Sequence, residues 1–207
     1  MGQIIFARHG QAQNNVDRVL AGRTKGIPLT AAGIKQARHA AKMLQKMNVS
    51  AVYSSPIQRA QETAEIMAKG ISEVRTDDRL IELDMGKFTG MPYDEIFGSH
   101  GNVFLKFYRG ELEVAHNGVE TFAEVKGRVQ GMVRDALKRH PDQNVLFVTH
   151  MDPIKAMIST VLDLSPENLF EMVITNASLN IFGEKEGGFS MGGLNVMDPS
   201  RFGAGRQ

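Results

Sequence analysis

Gln3-Ile4-Ile5-Phe6-Ala7-Arg8-His9-Gly10-Gln11 is an apolar run that ends abruptly in a cation, an imidazole and a glycine. Its apolar residues, cut off by charge, read as a short strand, Gln3–Arg8, buried on both faces. Outward from it, a Gly-, Asn- and Arg-rich loop runs to about Leu29. Thr30 then caps a helix of about 17 residues with Ile34, Ala37, Ala41 and Leu44 on one face. Ala51–Ser54 is a second strand, and Pro56 opens a helix that runs to about Lys69. Glu73–Thr76 is a third strand, Glu120–Arg139 a long amphipathic helix, Asn144–Thr149 a fourth strand and Asp152–Leu162 a helix. Strand-like runs near 169–174 and 178–184 follow. Residues 78–118 are irregular, with short helices near 93–97 and 102–108, and such an excursion inside a compact domain is ordinarily functional.

Strands alternating with helices predict a three-layer α/β sandwich, a mostly parallel sheet with helices on both faces. Ligands of such sheets bind beyond the carboxyl ends of the strands. That rule selects Arg8-His9-Gly10, Ser54-Ser55-Pro56 and His150-Met151-Asp152. His9 and His150 stand at two of those ends, Arg8 beside the first, and Arg59 just inside the helix after Pro56. One histidine at a strand end is ordinarily structural, and one arginine at a helix start is ordinarily a solvated charge. Four such residues at three ends of one sheet point instead to an anion with several oxygens. Guanidinium forks grip phosphate and keep their charge, while imidazole titrates near neutrality and serves as nucleophile or donor.

The rest of the composition narrows the classes. The 207 residues suit one domain, 1–207, with a lid at about 78–118 and a frayed tail at about 199–207. With 24 basic and 23 acidic residues, a net charge of +1 gives no general attraction to nucleic acid or to an acidic membrane. The absence of cysteine removes disulfides, thiolate metal sites and a cysteine nucleophile, and suits a cytoplasmic protein. No His-x-x-x-His pair or carboxylate cluster suggests a metal, and arginines beside His9 would repel a cation. No run approaches the length of a membrane span, and the apolar start is too short for a secretory leader. The strand near 178–184, read as a sheet edge, is a candidate surface for pairing in a homodimer.

Arg8-His9-Gly10-Gln11 with Asn15 resembles the signature of the histidine phosphatase superfamily, which includes phosphoglycerate mutases and small phosphatases. Pro28-Leu29-Thr30 with Gly33 and Gln36-Ala37, then Ser54-Ser55-Pro56 with Arg59-Ala60 and Thr63-Ala64, resemble its next segments. Leu80-Ile81-Glu82 with Gly86 and Gly90 is similar to its acid-bearing segment, and Val148-Thr149-His150 to that of its second histidine. The resemblance implies a phosphoglycerate mutase-like fold and a metal-independent transfer in which His9 is the nucleophile. It further implies that Arg8, Arg59 and His150 clamp the phosphoryl oxygens and that Glu82 is the acid/base. Gly10, Asn15 and the Met151 amide complete the implied phosphate contacts. Asp84, two residues on, is a rival acid, because in an extended segment it points the same way as Glu82.

Departures from the family pattern are Ala12 for a hydroxyl residue, Asn14 for Trp and Met151 for Gly; Asp152 is expected to cap the following helix. The stretch 91–118 carries only Lys106 and Arg109 as cations, with Arg23 and Lys25 in the early loop. So short and weakly basic a lid favours a phosphatase of a small-molecule phosphate ester, working without a cofactor. The alternative is a phosphoglycerate mutase, which would need 2,3-bisphosphoglycerate as a primer. A silent module that only recognises phosphorylated ligands is a remote third, since His9 and Glu82 are both present. Phe88, Met91, Tyr93, Phe97, Phe104, Phe107 and Tyr108 are expected to form a small satellite core rather than a substrate mouth.

Overall fold

The structure is a computed structural model that describes residues 2–111, 116–186 and 188–197. Residues 112–115 of the expected lid and the expected tail lie outside those described. Strand β1 is Gln3–Arg8, β2 Val49–Ser54, β3 Val74–Thr76, β4 Asn144–Thr149, β5 Leu179–Lys185 and β6 Gly188–Val196. They form one sheet in the order β3-β2-β4-β1-β5-β6. The first four strands are mutually parallel, while β5 and β6 are antiparallel additions.

Strand alternation decides the two faces. Ile5 and Ala7 of β1, with Leu146 and Val148 of β4, pack under helices α2 (Ala31–Leu44) and α3 (Gln58–Ala68) through Ala40, Leu44, Ala60, Ala64 and Met67. Ile4, Phe6, Val145 and Phe147 point the other way, toward α6 (Phe122–Arg139) and α7 (Met151–Ile158). Because both faces are covered, β1 and β4 are apolar at nearly every position, and that continuity made them recognisable in the sequence.

Thr30 caps α2 as expected, accepting from Gly33 N at 3.0 Å, although the helix has 14 residues rather than about 17. The early loop holds a short helix, α1 (Gln13–Asp17). The long helix α6 starts at Phe122, two residues later than expected, because Thr121 and Glu124 close a capping box there.

Two expectations near the carboxyl end are corrected. The run 169–174 is not a strand: Ser165 caps and Pro166 opens a helix, α8 (Pro166–Glu171). β5 is not an edge, since β1 and β6 flank it, so the surface proposed for dimer pairing is already used. The edge is β6, whose glycines at 188, 192 and 193 blunted its alternation.

The segment after β3 is held down. Two tight turns, Asp78–Leu80 and Gly86–Phe88, lead to α4 (Tyr93–His100) and α5 (Val103–Arg109). Leu80, Leu83, Met85, Phe88, Ile96 and Phe107 are buried in the same apolar cluster as α6 and α7, so there is no separate satellite core.

The loop after β1 touches the start of α2 without room for a side chain. A Cβ on Gly33 would lie 2.0 Å from Gln11 O, and one on Gly10 would lie 2.6 Å from Gly33 O. Gly33→Ala is therefore expected to cost about 1–3 kcal/mol of stability. Its melting temperature should fall by several degrees with a loss of activity, since this loop carries His9. A variant that melts with the parent would show that the close approach is dispensable.

Candidate active site

The register of the central strands assembles the site. β1 and β4 pair with Arg8 opposite Thr149, so the next residues, His9 and His150, emerge side by side. Their ring centroids are 5.2 Å apart. β2 lies on the other side of β4 and leads through Ser55 into α3, which places Arg59 against His9. The four residues selected by the sequence thus converge from three strand ends.

His9 Nδ1 lies 2.7 Å from Gly10 O, so it carries the proton and leaves Nε2 as the lone-pair nitrogen. Arg59 Nε donates to that Nε2 at 3.2 Å, and Arg59 Nη2 donates to Gly22 O at 2.8 Å. Arg8 Nη1 is tied to Ile174 O. Arg8 Nε, Arg59 Nη1 and His150 Nδ1 are buried without a partner, which is costly unless an acceptor or donor arrives. Both imidazoles are held well below their ordinary pKa, first by burial and then by the Arg59 charge. His9 is therefore neutral, as an attacking imidazole must be.

Gly10 and His150 do not line the cavity: the Gly10 amide donates to Thr63 Oγ1 at 3.0 Å, and His150 Nε2 is 2.8 Å from Ser55 Oγ. Asn15 lines it, while its Oδ1 accepts from the Ala12 amide at 3.0 Å. Among the described residues no group of three or more His, Cys, Asp or Glu side chains is placed to hold a metal ion.

Glu82 and Asp84, indistinguishable in sequence, are separated here. Glu82 lines the cavity with Arg8, His9 and Arg59, whereas Asp84 turns to Arg23 Nη1 at 3.1 Å and accepts the Gly86 amide. Glu82 Oε1 accepts from its neighbour Leu83 N at 2.8 Å and Oε2 from Met151 N at 3.3 Å, so the Met151 amide expected at phosphate is engaged by the acid. Burial raises the Glu82 pKa to about 7, Asp152 adds to the rise, and Arg59 and Arg8 oppose it.

Two arginines hold the backbone of that acid. Arg128 Nη1 donates to Arg79 O and Ile81 O, at 2.9 and 2.6 Å, while its Nε and Nη2 pair with Glu120 at 2.8 and 3.0 Å. Arg23 Nε donates to Glu82 O at 3.0 Å, and its Nη2 pairs with Glu120 at 2.9 Å. Arg23 is therefore a brace outside the cavity.

The remaining wall corrects two expectations. Tyr93, Phe97, Phe104 and Tyr108 do line the cavity, although Phe88 and Phe107 are core. Asp152 is not a cap: His150 holds that position in α7, and the Asp152 side chain turns inward to accept from Tyr108 OH. Lys155, three residues on, lines the same cavity and is 1% exposed, yet the sequence reading passed over it. The one signal was a lysine on an otherwise apolar helix face. The cavity measures about 210 Å³, below the roughly 300–1,000 Å³ of drug-sized pockets, so it suits a small ester.

Comparison with known proteins agrees with this geometry. The profile of the histidine phosphatase superfamily (branch 1) matches residues 4–197. A 2,3-bisphosphoglycerate-dependent phosphoglycerate mutase of Thermoplasma acidophilum is 34% identical over 200 residues, covering 95% of each chain. Phosphoserine phosphatase 1 of Hydrogenobacter thermophilus is 31% identical over 190 residues, 90% of this chain and 88% of the relative. Among solved structures, a histidine-to-alanine mutant of Entamoeba histolytica phosphoserine phosphatase in complex with phosphoserine superposes with a TM-score of 0.84. It is 26% identical and covers 96% of this chain and 98% of its own.

Proposed function

The chain belongs to the histidine phosphatase superfamily, and from that membership and the pocket we propose that it hydrolyses small phosphate monoesters through a phosphohistidine on His9. His9 Nε2 attacks phosphorus, an N–P bond forms and the ester P–O bond breaks. Glu82 gives its proton to the departing alkoxide, then takes one from the water that cleaves the N–P bond and releases phosphate. Arg8 and Arg59, which line the cavity, hold the phosphoryl oxygens, and His150, set back behind them with Nε2 on Ser55, offers its unpartnered Nδ1 to a bound phosphoryl oxygen. Two arginines and a neutral histidine fulfil the role that a metal plays elsewhere, so no cofactor enters this scheme.

The observation that carries the reading is the contrast between two neighbouring titratable groups. His9 is held neutral with its lone pair on Nε2, and Glu82 keeps a proton near pH 7. Environments that push a nucleophile and an acid in useful directions are what covalent transfer with an alkoxide leaving group requires. The cysteine-free composition supports a cytoplasmic setting, and among the described residues no helix is long and apolar enough to cross a membrane. We take residues 1–207 to act as one domain, with Glu82, Tyr93, Phe97, Phe104 and Tyr108 among the side chains that wall the pocket.

The mutase of 34% identity favours a second reading, in which a phosphoglycerate rather than water accepts the phosphoryl group. Chelator-treated protein given p-nitrophenyl phosphate, and separately 3-phosphoglycerate with 2,3-bisphosphoglycerate, discriminates them. Phosphate release from the aryl ester that persists without metal is expected. Isomerisation of phosphoglycerate with little phosphate release would make the chain a mutase.

A further inference from the structure

Arg8 is steered by a loop whose own geometry is set from the far edge of the sheet. Its Nη1 donates to Ile174 O, in the stretch 172–178 that joins α8 to β5. That stretch belongs to no strand or helix, so no ladder aims the carbonyl. Asn195, on the edge strand β6, does so instead. Its Oδ1 accepts from Thr175 N at 2.8 Å, and its Nδ2 donates to Val173 O at 2.6 Å. The Ile174 C=O and the Thr175 N–H belong to one planar peptide group and point in opposite directions. A grip on the N–H from one side therefore turns the C=O toward Arg8 on the other. The grip on Val173 O fixes the preceding peptide, and the buried Ile174 side chain pins the residue between them.

The strand is built to present this side chain. Between the pairs Leu179–Val196 and Ile181–Gly193, β6 carries one residue more than β5, a bulge of the kind that re-aims a side chain. Asn195 sits in it with a left-handed φ of 49°, and its amide donates to Asn180 Oδ1 of β5 at 3.0 Å. We infer that Asn195 is a positioning residue for Arg8. It does not line the cavity, and it acts by fixing the peptide that anchors the guanidinium. The inference rests on the phosphate-holding role given to Arg8 above. With one corner of the fork held, less freedom is lost when the other nitrogens take an anion. The carbonyl of His9 has other supports, Asn176 Nδ2 at 3.0 Å and Ala177 N at 3.2 Å, so the effect of Asn195 falls on Arg8.

The test is a double-variant cycle, read by calorimetric titration with orthovanadate, which copies phosphate, and by kcat/KM for p-nitrophenyl phosphate. Asn195→Gly removes the side chain without straining a left-handed residue, so the edge strand should keep its fold. It should weaken vanadate binding and lower kcat/KM by about tenfold in the parent, the size of one hydrogen bond lost to a charged group. In Arg8→Met it should change either by less than about twofold, because the group it positions is gone. Ser178→Ala removes the hydroxyl that donates to the same Asn195 Oδ1 at 3.0 Å but leaves both peptide grips. That variant should bind vanadate within about twofold of the parent. Equal losses from Asn195→Gly in the two backgrounds, or parental affinity in Asn195→Gly itself, would overturn the positioning role. So would a loss in Ser178→Ala as large as that in Asn195→Gly, since β6 would then act through packing alone. A parent that binds vanadate with this coupling yet releases no phosphate would sink the hydrolytic reading and leave Asn195 in its role.

Discussion

Replacing His9 with alanine is expected to lower turnover of every phosphate monoester by on the order of 10⁴-fold or more, with the fold preserved. The size follows from the role: without Nε2 there is no covalent intermediate, and only attack by water on a clamped ester remains. Arg8, Arg59 and His150 would still bind phosphate, so KM should change far less than kcat. The fold should tolerate the change because His9 is neutral and Arg59, which loses its bond to Nε2, keeps the one from Nη2 to Gly22 O. A specific sign in stability accompanies it. His9 and His150 are held neutral in the native state, whereas the unfolded chain protonates them below about pH 6.5. The unfolded state then binds the extra protons, so stability falls as pH drops through that value. His9→Ala should soften this acid sensitivity. The checks are rapid-quench trapping of a labelled phosphohistidine, absent in the variant, and melts at pH 5 and 7.5. Turnover that survives in His9→Ala but vanishes in His150→Ala would move the nucleophile to His150.

Residues that the backbone alone places were readable in the sequence. His9, His150 and Arg59 sit one to five positions past strands whose apolar runs are unmistakable, so their convergence needed only the rule for parallel sheets. The pocket's organic wall was not readable. Lys155 and Asp152 sit in an apolar helix, and whether they face solvent or cavity depends on how α7 packs against α5, which no local pattern reports. The same blindness covered Glu82 and Asp84. Sequence gave them one direction, but Arg23, Glu120 and Arg128 bend the chain between residues 79 and 84 and send the two carboxylates to different partners. The bracing arginines Arg23 and Arg128 lie 59 and 46 positions from Glu82, beyond the reach of any periodicity. Near the carboxyl end, β6 was missed because its glycines remove the side chains that would alternate.

Glu82→Gln is expected to slow alkyl phosphates by about 10²–10⁴-fold while slowing p-nitrophenyl phosphate much less. An alkoxide cannot leave without a proton, whereas nitrophenolate leaves on its own, so the ratio between the two esters isolates the acid from binding. Glu82 titrates at about 7, and only its protonated form can donate, so kcat/KM for an alkyl ester should fall above that pH. The glutamine variant should lose that limb. Asp152→Asn should move the limb to lower pH instead, because Asp152 helps to raise the Glu82 value. Stability carries the matching sign: the native state keeps a proton that the unfolded carboxyl releases near pH 4.5. The fold therefore loses stability as pH rises from about 4.5 to about 7, and Glu82→Gln should flatten that slope. Asp84→Asn is the control, since Asp84 is engaged by Arg23 and the Gly86 amide outside the cavity. If that variant, and not Glu82→Gln, separates alkyl from aryl esters, the proton comes from Asp84, and residues 82–84 must rearrange when substrate binds.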